Sequence, residues 1–263
     1  MEKKIFPYQG LQIVYYESGQ GWPVVLLHGW GCSHETMRPV AEHLEGRFHL
    51  YNFDLPGHGE SDEPREAWST VEYKEMLKAF FARENIVRPI LIAHSFGGRL
   101  SLRLGAEEIP HKMILTGCAG LKPKRGLDYY AKVYSYKAAK KALSLPGLRK
   151  RKEELLTNLR GKRGSTDYQQ ASEEMRGTFV KVVNEDLKEL LPKIQAPTLL
   201  YWGENDTTTP LEDGQIMEKL MQDAGLVVRK NSGHYAYLEQ LPNFLAVVDS
   251  FLQPEMGKTP TAE

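Results

Sequence analysis

Short apolar runs alternate with segments of helical period along most of the chain. Residues 24–27 and 90–93 are continuous apolar runs, and 48–53, 111–116 and 197–202 are further strand-length stretches. Continuous apolar runs of this kind predict strands buried on both faces. Residues 11–16 alternate weakly and suit an antiparallel opening strand, and residues 226–229 predict a short late one. Between these runs the apolar positions recur at helical spacing: Met37, Val40, Ala41 and Leu44, then Val71, Met76, Leu77, Phe80 and Phe81 within 70–85, where Ser69 or Thr70 offers an N-cap. Leu100, Leu102 and Leu104 follow the serine-containing run, and 211–221 and 241–252 supply two further helical segments. Repeated β-α alternation with apolar strands predicts an α/β fold, a mostly parallel sheet with helices on both faces.

The alternation stops after Gly120. Residues 122–181 hold 16 Lys/Arg against 6 Asp/Glu, a local excess of 16 − 6 = +10 in a chain whose net charge is zero. Helical runs broken by Pro146-Gly147 and by Gly161 to Gly164 predict a helical cap (lid) inserted at 121–190. The core is then expected at 1–120 and 191–253, with a flexible tail at 254–263. The positive charge has two readings: a solvated helical face, or a basic lid that meets an anionic substrate or an acidic carrier protein.

Composition narrows the class. With 263 residues, 41% hydrophobic and 26% charged, the chain has the make-up of one large soluble α/β core. Zero net charge leaves no global basic field for nucleic acid. Two cysteines, Cys32 and Cys118, are too few for a disulfide framework and are expected reduced. No run approaches the roughly 18 apolar residues of a membrane span, and the first ten residues carry charge without an apolar h-region. A cytoplasmic protein is the expectation. Gly57-His-Gly59 fits neither glycine-rich phosphate-loop pattern and predicts a tight turn.

The chemistry concentrates at strand ends. Ser95 follows the apolar run 90–93 at once and precedes Gly97 and Gly98, a strand, sharp turn and helix in which a serine oxygen stands exposed at the sheet's edge. Asp206 lies just past the strand at 197–202, and His234 just past that at 226–229. A serine hydroxyl is a weak nucleophile until a histidine takes its proton, and a carboxylate must hold that imidazole in the right tautomer. Residues at three strand ends on one side of one sheet can meet although far apart in sequence. The turn at His28-Gly29 ends a central strand, where open α/β sheets place ligands and where backbone N–H groups can face an oxyanion; His28 itself reads as structural.

Together HGWG at 28–31, DLPGHGES at 54–61, AHSFGG at 93–98, GEND at 203–206 and SGHY at 232–235 resemble the capped, lipase/esterase-like members of the α/β-hydrolase superfamily, over most of the chain. That resemblance implies Ser95 as nucleophile, His234 as general base and Asp206 as its orienter, with an oxyanion hole from the backbone N–H groups of Trp30 and Phe96. Ala93 stands where the family's first glycine is usual, and Glu204 is the rival acid. Serine at 95, where dehalogenase and epoxide hydrolase relatives carry aspartate, argues against an alkyl-enzyme. SFGGR at 95–99 also resembles the nucleophile turn of the menaquinone-pathway lyases, whose basic pockets hold a dicarboxylate, and gives Arg99 a possible anion-binding role. Triad chemistry needs no metal or cofactor, and none is expected. Three classes stay open: a serine hydrolase of a small or medium ester or thioester, a lyase or C–C-bond hydrolase using the same triad on an anionic substrate, and a non-hydrolytic ligand receptor.

Overall fold

In the computed structural model, residues 1–122, 135 and 171–260 are described. Their sheet has eight strands: β1 (Glu2–Tyr8), β2 (Leu11–Ser18), β3 (Pro23–Leu27), β4 (His49–Phe53), β5 (Ile90–His94), β6 (Lys112–Thr116), β7 (Thr198–Gly203) and β8 (Ala224–Arg229). The spatial order is β1-β2-β4-β3-β5-β6-β7-β8, with β2 antiparallel to both its neighbours and every later pairing parallel. From β3 the chain runs first to β4 on one side and then to β5 on the other. The crevice beyond the carboxyl ends of β3 and β5 is therefore the topological switch point, where open α/β sheets bind ligands.

The period of two along each strand divides the interior into two cores. Val25, Leu27, Leu91 and Ala93 face α2 (Thr70–Arg83) and α3 (Phe96–Gly105), whereas Val24, Leu26, Ile90 and Ile92 face the side of α1 (His34–Leu44). All eight are fully buried, each contributing about 1.5–3 kcal/mol for the larger side chains. Helix α1 presents the expected Met37, Val40, Ala41 and Leu44 to the core. Helix α2 starts at Ser69 with a full capping box, in which Glu72 reaches back to the Ser69 N–H.

Two stretches differ from the sequence-based expectation. Residues 2–8 form β1, whose only buried side chain is Phe6; an edge strand with so little apolar periodicity leaves no signal. The first turn of the expected flexible tail is held in place. Glu255 is buried, facing Lys112 Nζ at 2.8 Å and His111 Nε2 at 3.1 Å.

Most of the expected cap, 121–190, lies outside the described residues. Its return is described: α4 (Glu173–Asn184), then a 3-10 turn at Lys188–Lys193. Helix α4 lies against the loop before α2, with Thr178 Oγ1 accepting from the Trp68 N–H at 3.0 Å and Lys181 donating to the Ala67 carbonyl. Just beyond α4, the Glu185 carboxylate takes Arg103 at 2.6 Å and the Thr70 hydroxyl, while its carbonyl accepts from Arg99 at 3.0 Å. One residue thus ties α4 to α2 and α3. The Leu187 N–H then donates to the Gly120 carbonyl at 2.8 Å. The closing segments are α5 (Leu211–Leu220), the single turn α6 (Ala236–Glu239) and α7 (Leu241–Leu252). Among the described residues no helix is long and apolar enough to cross a membrane.

Candidate active site

Ser95 sits between β5 and α3 with φ 48° and ψ −104°. A left-handed φ at a non-glycine residue is costly, about 1–3 kcal/mol, and such strain concentrates at functional sites. The turn is held from both sides: the Ser95 N–H donates to the Thr116 carbonyl at 3.1 Å, and its carbonyl accepts from Gly98 and Ala119. Gly97 allows the close approach this needs, since a Cβ there would lie 2.4 Å from the Leu27 carbonyl oxygen.

Asp206 and His234 are brought together. Asp206 Oδ2 lies 2.8 Å from His234 Nδ1. Asp206 Oδ1 accepts the N–H groups of Thr208 at 2.8 Å and Thr209 at 2.9 Å, and the Thr209 hydroxyl lies 2.8 Å from Oδ2. Burial raises the pKa of this carboxyl, but the contact with His234 and the Thr209 donors outweigh it and hold the group below the ordinary aspartate value. The acid loop is fixed by Trp202, whose indole N–H donates to the Thr209 carbonyl at 2.8 Å. Backbone bonds from Glu204 N to Arg229 O and from Asn205 N to Ser232 O, both 2.9 Å, join it to the histidine loop. Glu204, the rival acid, is exposed.

Three residues that the sequence reading passed over complete this arrangement. Thr209 is one; its hydroxyl also reaches the Gly117 carbonyl at 3.0 Å. Gly117, at φ +47°, is the second. A Cβ there would come within 3.0 Å of His234 O and 3.1 Å of His234 Nδ1. The third is His94. Its Nδ1 lies 3.1 Å from the Thr116 carbonyl, which can only accept, so Nδ1 carries the proton. Its ring centroid is 4.7 Å from that of His234, which sets the His234 loop beside the Ser95 turn. Burial, followed by repulsion from His234, pushes its pKa down to about 3. The recurrence of histidine just before the serine was visible as AHS, but only the packing gives that ring its place.

The HGWG loop lies against the same turn. A Cβ on Gly29 would stand 3.5 Å from Ser95 Cβ, and the His28 carbonyl accepts from Gly97 N at 3.1 Å. His28 is structural, as expected: Nδ1 lies 2.7 Å from the Gly29 carbonyl and Nε2 accepts the Leu55 N–H at 3.0 Å. Burial, with repulsion from His58, drives it down to about 3. The Trp30 ring packs edge-on against His58, Phe96 and Phe179 of α4. Among the described residues neither the Trp30 nor the Phe96 N–H has a hydrogen-bond acceptor. The Gly57–Gly59 segment is a turn around the Asp54 carboxylate, which accepts from His34 N at 2.7 Å and Glu60 N at 2.9 Å. Arg99 is 4% exposed and spends its NH1 donor on the Glu185 carbonyl, as a structural arginine does.

Comparison with known proteins agrees with this architecture. An AB hydrolase superfamily protein of Bacillus subtilis (YisY) is 25% identical over 247 residues, covering 89% of this chain and 92% of its own length. A pimeloyl acyl-carrier protein methyl ester esterase of Legionella pneumophila is 26% identical over 251 residues, covering 89% and 97%. Among solved structures, a bacterial membrane phospholipase A superposes with TM-score 0.74 at 23% identity, over 96% of this chain and 86% of that one. At that identity the likeness bears on the fold. The sequence model of the family described as alpha/beta hydrolase fold matches residues 23–241. With sheet order, strained serine turn and acid–histidine pair all in agreement with that match, the chain belongs to the alpha/beta hydrolase fold family.

Proposed function

We propose that the protein hydrolyses a carboxylic ester through an acyl-enzyme on Ser95. The observation that carries the reading is the buried Asp206 carboxylate, held 2.8 Å from His234 Nδ1, beside a serine on a left-handed turn. With Nδ1–H donated to Asp206, His234 has its Nε2 lone pair free to take the Ser95 proton. The serine oxygen then adds to the ester carbonyl, and the Trp30 and Phe96 N–H groups receive the oxyanion. Collapse expels the alcohol, which takes the proton from His234 Nε2. Water, deprotonated by the same nitrogen, releases the acid and restores Ser95.

The esterase name of the Legionella relative favours ester hydrolysis over lyase chemistry, and the structural position of Arg99 lends no support to a dicarboxylate pocket. The same relative's name, taken with the +10 excess over 122–181, favours an acyl group borne on an acidic carrier. The test is a screen of short-chain p-nitrophenyl esters with wild type and Ser95→Ala. Wild type should turn over at least one ester, and the variant should lose on the order of 10^6 in kcat while keeping its fold. Near-normal esterase activity in folded Ser95→Ala protein removes the serine mechanism. For the carrier, kcat/KM should fall more steeply with salt for an anionic ester than for a neutral one; equal slopes return the basic segment to a solvating role.

A further inference from the structure

We propose a second ligand site, on the α7 side of the β7–β8 edge, that takes a carboxylate carried on a short apolar stem. A groove of ≈ 560 Å³ opens there, with Leu199, Val247 and Phe251 as apolar wall and Arg229, Asn243 and Ser250 as polar positions. None of these side chains belongs to the site around Ser95, which Arg229 meets only through its backbone carbonyl. The volume lies within the range of small-molecule sites, about 300–1,000 Å³, and so does the mixture of apolar wall and a few polar groups.

The case for an anion rests on Arg229, which lines the groove; Tyr201 lies behind the lining, on the same face of the sheet. Arg229 Nε and Tyr201 Oη are both shielded from solvent and lack a hydrogen-bond partner among the described residues. They lie on one face of the sheet. Leu199 and Tyr201 are two apart on β7, Tyr201 is paired with Val227, and Arg229 is two beyond Val227 on β8. The Tyr201 ring, fully buried, packs edge-on against Phe244 of α7 at 4.9 Å. Burial raises the Tyr201 pKa and the Arg229 charge opposes that rise, as a guanidinium near the phenol does. Nor does Arg229 form an ion pair among the described residues.

Native structures leave few buried polar atoms unpaired, because each costs about 1–3 kcal/mol. Both atoms here are donors, an N–H and an O–H, so the missing partner is an acceptor. A carboxylate offers two oxygens in the fork geometry that suits guanidinium, and its charge matches Arg229. A water can accept from such donors but leaves the cation uncompensated and the apolar wall unused. The ligand class is that of a short- or medium-chain carboxylic acid, and the site does not depend on the reaction assigned to Ser95.

The test is isothermal titration of the full chain with octanoate, and with octanol as the uncharged control. Octanoate should bind, octanol at least tenfold more weakly, and Arg229→Gln should weaken octanoate at least tenfold with its circular dichroism spectrum unchanged. Should Arg229→Gln fail to fold, Asn243→Asp places a like charge in the groove on an exposed helix position and should give the same loss. The proposal is overturned if octanoate does not bind at millimolar concentration, if octanol binds as tightly, or if the folded variants bind octanoate as wild type does. That last result is also the one expected of an acid bound only at the Ser95 site.

Discussion

Acid should unfold this protein through its buried histidines well before its carboxylates are neutralised. His28, His58 and His94 are buried, and burial holds them at about 3, about 4 and about 3, against an ordinary value of 6.5. The groups facing them are few: His58 and His34 for His28, Asp54 and His28 for His58, and His234, Asp206 and His28 for His94. Above pH 6.5 folded and unfolded states are alike in leaving these rings neutral, so the stability is complete. As pH falls through 6.5 the unfolded chain takes up protons that the folded one refuses, and stability drops; below about 3 the folded state is protonated too and the loss stops growing. Each ring costs about 1.4 kcal/mol per pH unit in that window. At pH 5 this amounts to about 2 kcal/mol per ring and about 6 kcal/mol for the three, against a total of about 5–15 kcal/mol for a typical domain. Urea unfolding followed by far-UV circular dichroism at pH 8, 7, 6 and 5 reads the loss directly. His28→Gln isolates one proton: glutamine can accept from Leu55 N–H and donate to the Gly29 carbonyl but cannot titrate. Its stability should fall less steeply by about 1.4 kcal/mol per pH unit. Stability constant within about 1 kcal/mol from pH 8 to 5, or a His28→Gln line parallel to wild type, would refute the reasoning.

Two further substitutions probe the candidate site. Asp206→Asn keeps an oxygen for the Thr208 and Thr209 N–H groups but turns an amide donor toward His234 Nδ1, favouring the wrong tautomer; kcat should drop by about 10^4 with little change in melting temperature, and a loss below tenfold would show that Asp206 does not orient the base. Gly117→Ala drives a methyl against His234 at a left-handed φ, so kcat/KM should fall at least about 10²-fold, as for a 1 Å displacement of a reacting group; a folded variant with full activity would mean that His234 tolerates the shift.

The strands buried on both faces were legible because unbroken apolar runs as short as Val24 to Leu27, flanked by turn residues, suit a covered parallel strand and are too short for a helix. Helix α2 was legible to within one residue of its cap, Ser69 or Thr70, because capping chemistry is local. Strand β1 was not, since an edge strand with one buried residue follows the sheet and not its own pattern. The residues at 206 and 234 stood out as polar groups just past strands, yet their 2.8 Å contact is a property of two loops joined by backbone bonds at 204–205. Thr209 and Gly117 carried no such signal. A threonine in a run of three and a glycine after a strand acquire meaning only from what folds against them.

The bond from Leu187 N to Gly120 O has a consequence for how such a chain can change. It brings the two ends of the connection between β6 and β7 to one point on the core, and the Glu185 contacts fasten the returning end. Closure is thus made at the core, through Gly120, Glu185 and Leu187. A change in chain length away from these anchors need not displace the sheet, the turn at Ser95 or the pair at Asp206 and His234.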